Sequence, residues 1–345
     1  MRLESCDVNG GKLVLVADMH LSARFTGKHK DYLKECYYNL DRVKDIVVKE
    51  EASAVVFLGD IIGVNERTIS DRRFLSHVLN FFVTLNKLMN GNVFAVKGNH
   101  DAGDFTDFDL LTSMNLIKNP RYINYYGKKS DSSTVDGLEV RFHLVNYGDE
   151  DRALSLSGAD GMSSDVVLGH NDYYITGVTN WYSAGSSVEV SKLTNFKGVQ
   201  LILSGHIHAP SHEVLYTNIE NNQVGLFFPG APGRVSEKYD DCWYLVFEYR
   251  KSSSSDHWST EYQAKPFGLE KAAEVFEVGS DDADEAYEGE AIAEEKTLSL
   301  RNIVSEIIDG QIISGDILGQ VDLIPGASAE AKAMAKEYLV KAAEL

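Results

Sequence analysis

Cysteine is scarce in this 345-residue chain, and the three present, Cys6, Cys36 and Cys242, are odd in number and widely spaced. They form neither a disulfide framework nor the paired spacing of a zinc site, so they read as reduced thiols of a cytoplasmic protein. Long hydrophobic runs are missing as well. The apolar stretch nearest the N-terminus, residues 13–17, is too short for a signal-peptide core or a membrane span, and no membrane association is expected. No internal repeat is visible. Basic residues are few: 33 Lys and Arg stand against 52 Asp and Glu, a net charge of −19. Electrostatics alone would not nominate such a chain as a nucleic-acid binder. The imbalance is uneven, however. Residues 251–345 hold 20 acidic and 8 basic side chains, or −12, which leaves −7 for the first 250.

Five short apolar runs are present, at 12–17, 54–58, 93–96, 166–168 and 199–203. They are rich in β-branched residues and bounded by Gly, Asn or Asp, which favours buried strands over helices. Helical spacing fills roughly 32–50 and 69–89 between the first three. The second half reads as mostly strand, at 138–145, 224–228 and 243–249. This alternation predicts an α/β protein with two packed mixed β-sheets flanked by helices and a small helical C-terminal tail. The stretch 280–296 carries eight carboxylates and one lysine and reads as a solvated linker. Beyond it, apolar residues again recur at helical spacing.

A polar cluster follows each of the five predicted strands. Asp18 and His20 follow the first, Asp60 the second, and Asn99, His100 and Asp101 the third; His170 follows the fourth, and His206 and His208 the fifth. Singly, each block is an ordinary strand-end turn. Their placement is what matters, because ligands of open α/β sheets bind at the carboxyl ends of the strands, so one rule gathers all five. Glycine precedes the cluster in four of the five (Gly59, Gly98, Gly169, Gly205), as suits a chain turning beside a crowded site. Carboxylate, amide and imidazole donors suit borderline-hard divalent cations. Two dications would set +4 against −2 from Asp18 and Asp60, leaving a balance that a hydroxide and a phosphodiester neutralise.

In this order the blocks resemble the signature of the calcineurin-like metallophosphoesterase superfamily: DxH, GD, GNH[DE], GH, GHxH, all within residues 18–208. The resemblance implies two divalent metal ions, manganese first, with magnesium, iron and zinc as alternatives. Asp18, His20, Asp60 and His208 would hold one. Asp60 would bridge to a second, held by Asn99, His170 and His206. His100 would be the catalytic histidine, steadying the phosphate and protonating the leaving oxygen. Asp101 reads as a carboxylate that fixes its loop.

The second block lacks the GDxxDRG extension of protein phosphatases. The start Asp18-Met19-His20-Leu21 and the stretch 228–234 (FPGAPGR) resemble instead the SbcD-type DNA repair and recombination nucleases, especially their bacteriophage branch. That resemblance implies a catalytic domain over 1–250, a reduced cap and acidic linker over 251–296, and a helical partner-docking segment over 297–345. It also implies DNA as substrate, an SbcC-type coiled-coil ABC ATPase as partner, and a homodimer through helices of the catalytic domain. Arg234 and Asn65 are the candidate DNA contacts. Many members carry His or Asp three residues after the GD aspartate, where this chain has Gly63. The alternatives are a phosphodiesterase or phosphatase for a small phosphoester, and a scaffold subunit that tethers an ATPase or DNA.

Overall fold

A computed structural model describes residues 3–23, 29–63, 68–103, 106–128, 135–149, 165–174, 187–189, 199–217, 223–234, 241–251 and 258–276. Two mixed sheets form the framework. The five-stranded sheet runs β14 (Trp258–Pro266), β13 (Trp243–Lys251), β2 (Lys12–Val16), β3 (Ala52–Leu58), β4 (Val93–Val96), its last three strands parallel. The seven-stranded sheet runs β1 (Ser5–Asn9), β5 (Tyr122–Lys128), β6 (Val135–Val145), β7 (Asp165–Gly169), β10 (Val199–Ser204), β12 (Gln223–Phe228), β11 (Ser211–Thr217). Within it β6, β7, β10 and β12 are parallel neighbours. A short pair, β8 (Asp172–Tyr174) and β9 (Ser187–Glu189), lies beside them.

Alternate side chains of the central strands face two different cores, which is why these strands read as unbroken apolar runs. Leu13 and Leu15 of β2, Val56 and Leu58 of β3 and Val96 of β4 meet Phe142, Leu144, Leu168 and Leu203 of the other sheet. Val14, Val16, Val55, Phe57 and Val93 face the opposite way, into a core built with the helices. These are α1 (Tyr32–Lys49), α2 (Arg72–Leu88) and α3 (Asp107–Ser113). Each begins at a side chain that satisfies an otherwise unpaired backbone N–H: Asp31 for Lys34, Asp71 for Phe74, and Thr106 in a capping box with Asp109.

Phe81 and Phe82 of α2 are 3% and 0% exposed and pack inside the chain, while Leu88 at the end of the helix is 48% exposed. Residues 258–266, read from sequence as part of a reduced cap, are the edge strand β14, paired antiparallel along the whole of β13. Tyr262 and Ala264 reach the inter-sheet core while Glu261, Gln263 and Lys265 alternate with them. That half-polar pattern is what an edge strand with one covered face produces. A short helix, α4 (Ala272–Val275), follows. The acidic stretch 280–296, the segment 297–345 and Asn65 lie outside the described residues. Among the described residues no helix is long and apolar enough to cross a membrane.

Candidate metal centre

All five strands with predicted polar clusters, β2, β3 and β4 in one sheet and β7 and β10 in the other, end at a common rim where the two sheets meet. Asp18, His20, Asp60 and His170 are 0–1% exposed there. Two groups of side chains can each hold a metal ion, with donor atoms within 4.8 Å of one another: Asp18, His20 and His208, and Asp60, His170 and His206. A third, His20, Asp60 and His100, overlaps both. Asn99 joins the second group, its Oδ1 lying 3.1 Å from His170 Nε2 and 3.0 Å from His206 Nδ1. Asp60 Oδ2 lies between the groups, 3.1 Å from His170 Nε2 and 3.9 Å from His20 Nε2.

The backbone is bent to bring these donors together. Seven non-glycine residues among those described have positive φ. Glu51, Asn90 and Asn115 follow the ends of α1, α2 and α3, where a left-handed residue closes a helix. The remaining four, Asp18, His20, Asp60 and His206, are all candidate ligands. Each such conformation costs roughly 1–3 kcal/mol and persists only where the surroundings over-determine it. Here the surroundings do so through hydrogen bonds. His20 N–H donates to Asp60 C=O at 2.9 Å and Gly233 N–H to Asp18 C=O at 3.0 Å. Tyr32 Oη–H donates to His20 C=O at 2.6 Å, and His206 N–H to Asp18 Oδ1 at 2.9 Å. Of the preceding glycines only Gly59 uses a left-handed turn, with φ +90°. Gly98 and Gly205 are required by close approach, because a Cβ would strike Asp60 and Leu58 C=O respectively.

The donor set fits divalent cations. His170 Nδ1 is 2.7 Å from Leu58 C=O, which can only accept, so the proton of the neutral ring sits on Nδ1. The Nε2 lone pair then faces Asp60 Oδ2 and Asn99 Oδ1, a convergence of electron pairs that a cation resolves. Asp18 Oδ2 is buried with no hydrogen-bond partner among the described residues, while Oδ1 takes the His206 N–H. A buried carboxylate oxygen without a donor is what a metal ligand looks like from the protein side. The protein groups alone set a proton in competition for the same lone pair. Burial would lower the His170 imidazolium, but Asp60 and Asp18 outweigh it and lift it to about 10. Burial lifts Asp18 to about 7 and depresses His208 to about 4. Asp60 is held well below the usual carboxylate range, because His170 and His20 overcome the effect of its burial.

His100 stands at the mouth, its side chain 28% exposed and its ring 5.4 Å from that of His20. Its backbone N–H donates to Asp60 Oδ1 at 2.9 Å, which ties it to the shared carboxylate. Asp101 is fully buried and accepts from the backbone N–H groups of Ile61, Ile62 and Gly98, so it fixes the loop as expected.

Arg234 departs from expectation. Its side chain is 0% exposed, its Nε donates to Glu35 Oε1 at 2.7 Å, and the guanidinium lies 5.4 Å from the Phe276 ring. The 229–234 loop is buried throughout and braces the Asp18–His20 segment from behind, so Arg234 offers no cation to a surface phosphate. The departure at Gly63 also has a steric cause, since a Cβ there would lie 2.3 Å from Ser22 Cβ. Two residues carried no sequence signal. Asp172 Oδ1 is 3.1 Å from His206 Nε2, and the Tyr147 ring, just past the end of β6, lies 5.5 Å from that of His206.

A family model of calcineurin-like phosphoesterases matches residues 11–210. No curated protein matches the chain. Among solved structures it is similar to an NAD nucleotidase of Haemophilus influenzae, at 14% identity over 97% of this chain and 68% of that one, TM-score 0.38. A dimetal phosphatase from Danio rerio is similar at 12% identity over 76% and 98%, TM-score 0.37. The phosphoesterase YfcE from E. coli is similar at 15% over 72% and 98%, TM-score 0.32. Identities and TM-scores this low assign no substrate.

Proposed function

The chain belongs to the calcineurin-like phosphoesterase family, and from that premise we propose that it is a two-metal DNA exo/endonuclease subunit working with an SbcC-type coiled-coil ABC ATPase. The observation that carries the hydrolytic part is the pair of donor groups on either side of Asp60. Asp18, His20, Asp60 and His208 would hold one ion, and Asp60, Asn99, His170 and His206 the other, with manganese the first candidate. When bound, such ions polarise the phosphoryl oxygens and stabilise the charge of an in-line displacement.

The chain's own groups do the rest. The buried carboxylates and His20 and His170 close the inner side to water. His100 and His206, whose side chains are 28% and 21% exposed, mark the face from which the phosphodiester enters. His100 steadies the entering phosphate and protonates the departing 3′ oxygen, and its anchor on Asp60 sets where its ring stands. The choice of DNA is supported by Asp18-Met19-His20-Leu21 and by a GD block without the protein-phosphatase extension.

A second reading, a phosphodiesterase for a small phosphoester, is favoured by the burial of Arg234 and the net charge of −19. Digestion of end-labelled linear duplex in manganese, beside hydrolysis of bis(4-nitrophenyl) phosphate, separates the two. Turnover of the small ester with intact duplex, with or without the ATPase, would reject the nuclease. Deleting residues 298–345 is expected to abolish association with the ATPase while both metals stay bound; unchanged co-purification would reject the docking role.

A further inference from the structure

We propose that Asp172 is a positioning residue for the second metal centre, its carboxylate holding His206 so that Nδ1, and not Nε2, faces the cation. The inference rests on the metal-centre reading above and names a residue outside its ligand set. A neutral imidazole has one lone pair and one N–H, so the partner of the N–H decides which nitrogen binds metal. His206 Nε2 lies 3.1 Å from Asp172 Oδ1, and its Nδ1 lies 3.0 Å from Asn99 Oδ1, on the side of Asp60 and His170. A lone pair on Nε2 would face the carboxylate oxygen across this ion-pair distance, so electrostatics place the N–H on Nε2 and turn the Nδ1 lone pair inward.

His170 is held in the opposite sense, its Nδ1–H donated to Leu58 C=O and its Nε2 turned inward. The two histidines of this centre are therefore locked as different tautomers, one by a neutral carbonyl and one by a charge. The charge matters because the second centre is otherwise poor in it: Asn99 and two neutral imidazoles share the Asp60 carboxylate with the first. Asp172 is 2% exposed, so its field is weakly screened.

The strand ends fix the distance between the pair. Gly205 N–H donates to Gly169 C=O at 3.1 Å, at the point where β7 and β10 pair Gly169 with Ser204. Ser204 Oγ accepts from Asn171 N–H at 3.1 Å and donates to Asn171 C=O at 3.0 Å, stapling the turn that carries Asp172 to the turn that carries His206. His206 itself has φ +79°, so its ring is aimed by these contacts and not by a relaxed backbone. Strand β7 thus supplies one ligand, His170, and the residue that orients another.

Calorimetric manganese titration of the full-length chain tests this, with His208→Ala and His206→Ala used to assign the two binding classes. Asp172→Ala is expected to weaken the second class by roughly 10–100-fold and leave the first unchanged. Asp172→Asn, which keeps an acceptor oxygen but no charge, is expected to fall between Asp172→Ala and wild type. Nitrogen-15 NMR of the histidines is expected to show the His206 Nε2–H form in wild type and its loss in Asp172→Ala. Wild-type affinities at both classes in Asp172→Ala would overturn the proposal. So would equal loss at both classes with a lowered melting temperature, which would mark a residue that only supports the fold. A wild-type chain that takes up no second manganese would instead reject the two-centre reading itself.

Discussion

Gly98→Ala puts one methyl group against the shared carboxylate, and the structure states how large the collision is. A Cβ at residue 98 would lie 2.1 Å from Asp60 Oδ1, 2.3 Å from Asp60 N and 2.9 Å from Asp60 Cγ, where ordinary contact begins at 3.4 Å. Rotating the Asp60 side chain frees Oδ1 but not the backbone nitrogen, so the Asp60 turn or the 98–101 loop must shift by about 1 Å. That shift breaks the His100 N–H bond to Asp60 Oδ1 and moves the carboxylate away from His170 and His20. A displacement of this size at a reacting centre costs about 100-fold in rate, equivalent to about 2.7 kcal/mol, and overpacking adds about 1–3 kcal/mol of instability. The assay is kcat on a phosphodiester together with manganese stoichiometry and a melting curve. Gly148→Ala is the control: φ is +80° but, among the described residues, nothing beyond its chain neighbours lies within 4 Å of a Cβ there. It is expected to lose about 1 kcal/mol of stability and no activity. A Gly98→Ala enzyme with both metals and wild-type kcat would refute the placement of Asp60 at the heart of the site.

Three further outcomes follow from the same geometry. His100→Ala is expected to keep both metals and lose 100- to 10,000-fold in kcat, whereas Asp60→Ala loses metal occupancy; metal analysis beside the rate distinguishes them, and a fully active His100→Ala enzyme would refute its role. Arg234→Ala removes one of two buried partners of Glu35, His29 remaining at 3.1 Å, and is expected to cost about 1–3 kcal/mol by denaturant unfolding, so lower stability should precede any change in DNA affinity. Glu50 binds Lys265 at 2.7 Å, Tyr244 at 2.9 Å and Lys12 at 3.3 Å; burial alone would raise its pKa, but Lys265 and Tyr244 overcome that and hold it below the free value. A depressed folded-state pKa gives stability that is complete above the unfolded value and lost as pH falls through the folded one. Wild type should therefore lose stability below about pH 4.5 more steeply than Glu50→Gln in urea unfolding; parallel pH profiles would contradict the assignment.

How much was legible varied with the kind of residue. The strands β2, β3, β4, β7 and β10 were readable because burial on both faces leaves runs such as Leu13-Val14-Leu15-Val16 with no polar interruption. Strand β14 was not, because only one of its faces meets a core, and alternate polar residues beside charged neighbours resemble a loop. Phe81 and Phe82 of α2, adjacent along the helix, are both buried, Phe82 against Phe57 of β3 and Phe81 against Phe82. Gly59, Gly98, Gly169 and Gly205 were noticed as a group, and all four face a close neighbour, but only Gly59, against His170, also makes a left-handed turn.

What the amino-acid order determined by itself is which side chains cluster and at which end of which strand, since donors that follow a strand directly are carried wherever that strand ends. Contacts between segments distant in the chain were decided by the tertiary structure alone. The direction of Arg234 depends on Glu35, 199 residues away, and the charge that faces His206 comes from Asp172 across a strand boundary. Burial is the physical reason. A charged group excluded from water must find its partner within a few ångströms, and which partner is in reach is a property of packed strands, not of spacing along the chain.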